Sequence, residues 1–404
     1  MNVNSGDTAW LLVCAALVMF MTPGLAFFYG GLVRSKNVVG TIMQSFIALG
    51  LVTVLWALIG FSLAFGPDKA GLIGGLDFLG LRGVGAAPSA YAPTVPATSF
   101  MVFQMMFAII TPALIAGAFA ERMRFSGYLT FVGLWSILVY APVTHWVWGG
   151  GFLGADGLGA LDFAGGAVVH ANAGAAALAT AIYLGRRRGH GSDDMSPHNV
   201  PFVILGAGIL WFGWFGFNAG SALTSGALAS SAFVNTQLGA AAALLGWIIL
   251  ERVRTGKVTT IGAATGAVAG LATITPAAGY VPPMAAIAIG LAAGIVCYLA
   301  VGLKGRFGYD DSLDVVGVHM VGGILGVMLT GVFASLAINA AGAAASLAQV
   351  GKQAVLAGAT VVFSFVVTMA ILKVTDLTVG LRVTEEHEDV GLDASQHGEV
   401  GYRL

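Results

Sequence analysis

Charge is scarce in this chain. Only 9% of its 404 residues are Asp, Glu, Lys or Arg, with a net charge of −1. Soluble domains carry about 25%, so a water-soluble globular fold is excluded, and a nearly neutral chain offers no basic face for nucleic acid. Cysteine is almost absent: Cys14 and Cys297 both lie inside apolar runs, which excludes a disulfide framework or a thiolate metal site and makes them small buried hydrophobes. No basic segment precedes the first apolar run in MNVNSGDTAW, so this start reads as a true first span and not a cleaved signal. Also missing are a phosphate-binding Walker loop, a Cys/His metal array and a nucleophile–base spacing. Neither an enzyme, a metal nor a cofactor is implied.

What remains is 57% hydrophobic, with 59 glycines and a mean hydropathy of +0.88. Small residues let membrane helices approach closely, where packing drives association. The apolar runs reach about 20 residues, the length of a spanning helix, which excludes a β-barrel of ~10-residue alternating strands. The fold class is therefore an all-α integral membrane protein. Runs bounded by charge and Gly/Pro clusters predict eleven spans, near 8–32, 41–65, 99–120, 126–147, 162–185, 200–222, 230–250, 259–278, 284–303, 313–336 and 352–374.

Basic residues fall on one side of these spans. Alternate gaps and the C-terminal segment hold fifteen Lys and Arg, among them Arg34, Arg122, Arg187 and Lys304; the other gaps hold only Lys69, Arg82 and Lys352. That bias places the N-terminus outside and the C-terminus in the cytoplasm. Spans 1–5 (about 8–185) and 6–10 (about 200–336) then form two five-helix halves of inverted topology, because a unit with an odd number of spans inverts when repeated. A last helix at 352–374 completes a membrane domain over 1–374. The outer segment 66–98 reads as an ordered surface loop, and the acidic tail 375–404 as a segment that orders on contact with the bundle or a partner.

Two histidines stand out against the apolar background. His170 and His319 each follow an aspartate by eight residues (Asp162, Asp311) and precede a glycine by four (Gly174, Gly323). An ionisable side chain at membrane depth marks a substrate or proton pathway by default, and these two close the two halves. As a neutral pair, the imidazoles share one N–H···N bond and leave a donor and an acceptor facing a lumen. The plainer alternative is two separate core histidines bonded to backbone carbonyls. Asp162 reads both as an N-cap and as electrostatic support for an arriving cation; Asp311 is its mirror image, most simply an interfacial cap.

Aromatic residues cluster toward the other side: Phe103 and Phe107 in FQMMF, Trp146 and Trp148, then Trp211, Trp214, Phe215 and Phe217 in WFGWFGFNAGS. Trp at an interface is usually a belt anchor. Phe103 and Phe107, however, lie one turn apart on one helical face, and with Trp148 and Ser221 they compose a cage for a small cation, held by cation–π attraction and one hydroxyl acceptor.

At these residues the chain resembles the ammonium transporter (Amt) family over nearly its whole length. FYGGLVRSKNVVG, TPALIAGAFAERMRF, DFAGGAVVHANAG, WFGWFGFNAGS and GYDDSLDVVGVHMVGG are similar to family segments in family order, and GLRVTEEHEDVGLDASQHGEVGY is similar to its cytoplasmic tail. The resemblance implies a homotrimer in the cell (inner) membrane with one pore per subunit. It implies an ammonium recruitment site at Trp148, Phe107 and Ser221 with Phe103 beside them, a gate of Phe107 and Phe217, a twin-His pore of His170 and His319, and Asp162 as the aspartate needed for transport. A PII-type signalling protein is the implied cytoplasmic partner. Two other readings remain: an ammonium sensor working through such a partner with little flux, and an Rh-like gas channel. The short stretch after the tail motif argues against a fused receptor, and the Trp148 segment with Ser221 against the gas channel.

Overall fold

The computed structural model describes residues 2–403. The chain is mostly helical in α1 (Ser5–Leu32), α2 (Ser35–Phe65), α3 (Ala97–Ala118), α4 (Phe125–Trp148), α5 (Gly166–Leu184), α6 (Val200–Gly220), α7 (Ala227–Thr255), α8 (Thr260–Ile274), α9 (Pro283–Phe307), α10 (Val316–Phe333) and α11 (Leu347–Thr378). Among the described residues, ten of these are long and apolar enough to cross a membrane; α8 is the shorter one. Its 15 residues rise about 22 Å, short of a hydrocarbon core of about 30 Å. The expected span 259–278 is cut back at Pro276, which has no N–H to continue the ladder; the chain then turns, with Tyr280 N–H donating to Ala277 O.

Side-chain caps set several helix starts. Asn4 accepts from Asp7 N–H, Asn199 from Phe202 N–H, Thr259 from Gly262 N–H and Ser346 from Gln349 N–H, each satisfying one of the orphan donors of a first turn. Glycine sets how closely the helices pack. A methyl group at Gly206 of α6 would stand 2.2 Å from Phe28 N on α1, and one at Gly294 of α9 would stand 2.2 Å from Ala243 O on α7. Such backbone-to-backbone approach is what small residues contribute in a bundle with no hydrophobic effect between its helices.

The segment 66–98 is ordered. It contains two small hairpins, β1 (Asp68–Lys69) with β2 (Ile73–Gly74) and β3 (Pro88–Ser89) with β4 (Ala92–Pro96). Buried His145 ties the first hairpin to α4: one ring nitrogen lies 2.9 Å from Ala64 O and the other 2.8 Å from Asp68 Oδ1.

The opposite, basic end of the bundle is closed by ion pairs between its connecting loops. Arg34 pairs with Glu121 at 2.7 Å, Arg187 reaches Glu121 at 3.4 Å, and Arg187 Nε lies 2.9 Å from Asp310. Burial opposes ionisation of both acids. Even so, Arg34 and Arg187 hold Glu121 below the usual carboxylate range, and Arg187 with Arg122 holds Asp310 well below it. The tail packs on this end through the short helix α12 (Glu385–Val390). Lys36 Nζ caps its end at Glu388 O and Asp389 O, Arg188 N–H and Arg382 Nε donate to the Glu388 carboxylate, and Asp393 accepts from Val39 and Gly40 N–H at 3.0 and 2.8 Å.

Candidate functional site

Asp162 organises the aromatic end of the site. Its side chain is buried, and its two oxygens accept four backbone N–H groups at the start of α5: Gly165 at 2.8 Å, Gly166 at 2.7 Å, Ala167 at 2.8 Å and Val168 at 3.0 Å. Gly165 sits at φ +117, a conformation open to glycine and strained for other residues, and this lets the chain wrap around the carboxylate. The Asp162 carbonyl accepts from Trp148 Nε1 at 2.8 Å. One residue therefore fixes the start of the His170 helix and the orientation of the Trp148 ring. Asp311 repeats the device in part: one carboxylate oxygen accepts from Val316 N–H at 2.7 Å, while the other is buried without a protein partner among the described residues.

His170 and His319 both sit in π-helical turns, Gly166–Ala171 and Val316–Met320, a wider coil that recurs at functional sites. Their Nδ1 atoms are 3.2 Å apart and their rings lie at 19°. At that distance one nitrogen carries hydrogen and the other accepts. The glycines of the matched pattern now have a physical role. A methyl group at Gly174 would stand 2.3 Å from Met320 N, and one at Gly323 would stand 2.6 Å from Gly166 O and 3.0 Å from His170 Cβ. Each glycine thus lets its own helix cross the turn that carries the other histidine.

Above the pair stands a column of rings. Phe217 stacks on His170 at 6.0 Å between centroids, Phe107 lies 4.2 Å from Phe217, and Trp148 meets Phe107 edge-on at 5.9 Å and 89°. Phe103 packs against Phe107 at 5.0 Å. Beside Trp148 opens a cavity of about 170 Å³ whose lining includes Phe107, Ser221, Tyr91 and Gln104. Below the phenylalanines a narrow space of about 10 Å³ is lined by His170, His319 and apolar side chains including Leu25, Ile110, Leu114 and Val268. It is barely the size of one water molecule. His170 Nε2 has no protein partner among the described residues. Toward the basic end, a further cavity of about 40 Å³ is lined by His319, Tyr29 and Asp314.

The structure brings together Trp148, Phe107, Phe103, Phe217, Ser221, His170, His319 and Asp162; Asp311 lies farther along, at the start of the His319 segment. Of the Trp cluster placed near the outer side, Trp214 sits deeper: its ring is 5.4 Å from His170, held by an Nε1 bond to Thr275 Oγ1 at 2.9 Å. Its spacing of three residues from Phe217 was the available clue. Gln104 and Tyr29 also reach these cavities; in the sequence Gln104 carries a clue in its one-turn spacing from Phe100 and Phe107, and Tyr29 carries none.

Residues 9–402 match the Ammonium Transporter Family. The chain is 51% identical to an ammonium transporter of Bacillus subtilis (strain 168), over 99% of each chain. It is also 51% identical to one from Mycobacterium tuberculosis, over 99% of this chain and 90% of that one. Among solved structures it is similar to Candida albicans Mep2 at a TM-score of 0.89, with 37% identity over 95% of this chain and 88% of that one. A structure described as a sensor Amt protein matches at a TM-score of 0.89 with 30% identity, covering 97% of this chain and 98% of that one.

Proposed function

The chain belongs to the ammonium transporter family, and from that premise we propose that it carries ammonium selectively across the cell (inner) membrane, into the cytoplasm. In this reading the basic end of the bundle faces the cytoplasm, the chain crosses the bilayer eleven times, the short α8 and the turn after it together making one crossing, and the two halves are inverted repeats at whose meeting point the histidines lie. The reading takes the subunit as one of three in a homotrimer and the docked tail as the surface a PII-type protein meets.

Ammonium and potassium are close in size and equal in charge, so a charge-size filter cannot separate them. Ammonium differs in donating hydrogen bonds and in being able to lose a proton. In the proposed path NH4+ is recruited beside Trp148 and Phe107 by cation–π attraction, with Ser221 accepting one hydrogen bond. Ser221 Oγ donates to Phe217 O at 2.8 Å, which leaves its lone pairs for a donor. Deprotonation takes place above or beside the Phe107/Phe217 gate. Asp162 acts on the step before: a carboxylate with four N–H partners is a poor base, but its fixed negative charge favours the arriving cation, and the proton then passes from NH4+ to water in the outer cavity. NH3 then passes His170 and His319 through a space too narrow and apolar for a hydrated ion, and is reprotonated beyond Asp311. Whether the proton follows by its own route sets the electrical character of transport, not its selectivity.

The observation that carries this reading is the continuous column Trp148–Phe107–Phe217–His170–His319 ending in a facing imidazole pair. The test is an ammonium concentration jump on proteoliposomes, read as current and as internal pH. A saturable response in either channel supports transport. Silence in both contradicts it and favours the sensor reading, which draws on the likeness to the solved sensor Amt protein.

A further inference from the structure

The cavity beside Trp148 presents acceptors. Three lining side chains already turn their hydrogen donors inward: Ser221 Oγ donates to Phe217 O at 2.8 Å, Tyr91 Oη to Gly149 O at 3.1 Å, and Trp148 Nε1 to Asp162 O at 2.8 Å. These groups leave the cavity oxygen lone pairs and ring faces. Gln104 also lines the cavity. Its side chain is more than nine-tenths buried, and its Oε1 has no protein partner among the described residues. On α3 it lies one turn after Phe100 and one turn before Phe107, on the same face. A buried amide carbonyl left unpaired is costly, and the terminal amide can rotate to turn its oxygen into the cavity.

We propose that Gln104 is a specificity-determining ligand of the recruited cation, its carbonyl oxygen accepting a hydrogen bond from ammonium beside the lone pairs of Ser221 and Tyr91. The proposal rests on the reading that this cavity receives ammonium. It gives the site a way of counting N–H groups. Ammonium has four and nothing else to present; methylammonium has three and can turn its methyl group toward an apolar wall. Replacing the amide by leucine therefore penalises ammonium more than its methylated analogue, whereas a general loosening of the cavity penalises both alike.

The experiment is a fluorescence titration of the full chain in nanodiscs with ammonium chloride and with methylammonium chloride, for wild type, Gln104→Leu and the near-isosteric Gln104→Met. The expected result for both variants is a Kd for ammonium raised about tenfold, as for a lost hydrogen bond to a charged group, and a Kd for methylammonium raised less than about threefold. If one variant fails to fold, the other carries the comparison. Equal shifts for the two cations, or no shift, overturn the proposal. A wild-type protein that binds ammonium but shows no flux contradicts the transport reading while leaving Gln104 tested by binding; one that binds no ammonium overturns both.

Discussion

His170 and His319, one from each half of the chain, face each other with their Nδ1 atoms 3.2 Å apart, and the glycine four residues after each packs against the turn that carries the other. The pairing is thus a property of two crossing helices rather than of two side chains alone. The crossing, its supports and the cavity above it lead to separate expectations.

Gly323→Ala places a methyl group 2.6 Å from Gly166 O and 2.7 Å from Ala171 N. Overpacking of this kind costs about 1–3 kcal/mol, and here it acts by pushing the two histidine turns apart. The variant is expected to melt earlier in detergent and to lose transport more than its residual folded fraction accounts for. Gly351→Ala, where none of the described residues comes within 4 Å of the added methyl, is the control and leaves both unchanged.

Asp162→Asn keeps the shape but replaces one acceptor oxygen by an NH2 group that faces backbone donors. Loss of charge-assisted bonds costs about 2–3 kcal/mol, so a lower melting temperature is expected together with loss of ammonium flux. Trp148 emission shifts as well, since its indole N–H is held by the Asp162 carbonyl. A variant with wild-type flux removes Asp162 from the account.

Trp148→Leu removes a ring face from the cavity. Cation–π attraction of about 0.5–2 kcal/mol converts to a rise in KM for ammonium of roughly 2- to 30-fold, with the maximal rate less affected. Flux measured over a range of ammonium concentrations separates the two parameters.

At the basic end, stability depends on pH. The carboxyls of Glu121 and Asp310 are held below their ordinary range by Arg34 and Arg187. Their contribution is fully present above the unfolded carboxylate range, near pH ~4, and is lost as the pH falls from there toward the lower folded values. Melting curves between pH 7 and 3 are expected to drop below that range in the wild type. Asp310→Asn starts lower at pH 7 and falls less steeply; parallel curves would rule the linkage out.

Much of this was legible in the sequence because it lies in local patterns. Asp162 at the head of an apolar run and Phe103 with Phe107 at one-turn spacing each reveal themselves within a few residues, as does the doubled Asp-x7-His-x3-Gly pattern. The reason for the glycines was not legible, since it depends on which helices cross. Nor were the π-helical turns around His170 and His319, which no composition marks. Trp214 read as one of several interfacial aromatics because its place beside His170 is set by Thr275, 61 residues away. The ion pairs of Arg34, Glu121, Arg187 and Asp310 join loops distant in sequence. Helix α8 ends earlier than its hydropathy suggests because Pro276 interrupts the ladder within an apolar run.

Selectivity by the paired histidines is the central claim. The most direct measurement compares ammonium and potassium jumps on proteoliposomes of the wild type and of the His170→Ala, His319→Ala double variant, read as current and internal pH. The account predicts a saturable ammonium response and no potassium response in the wild type, with loss of the ammonium response or of its discrimination in the variant. Unchanged ammonium transport and unchanged potassium exclusion in the double variant would contradict it.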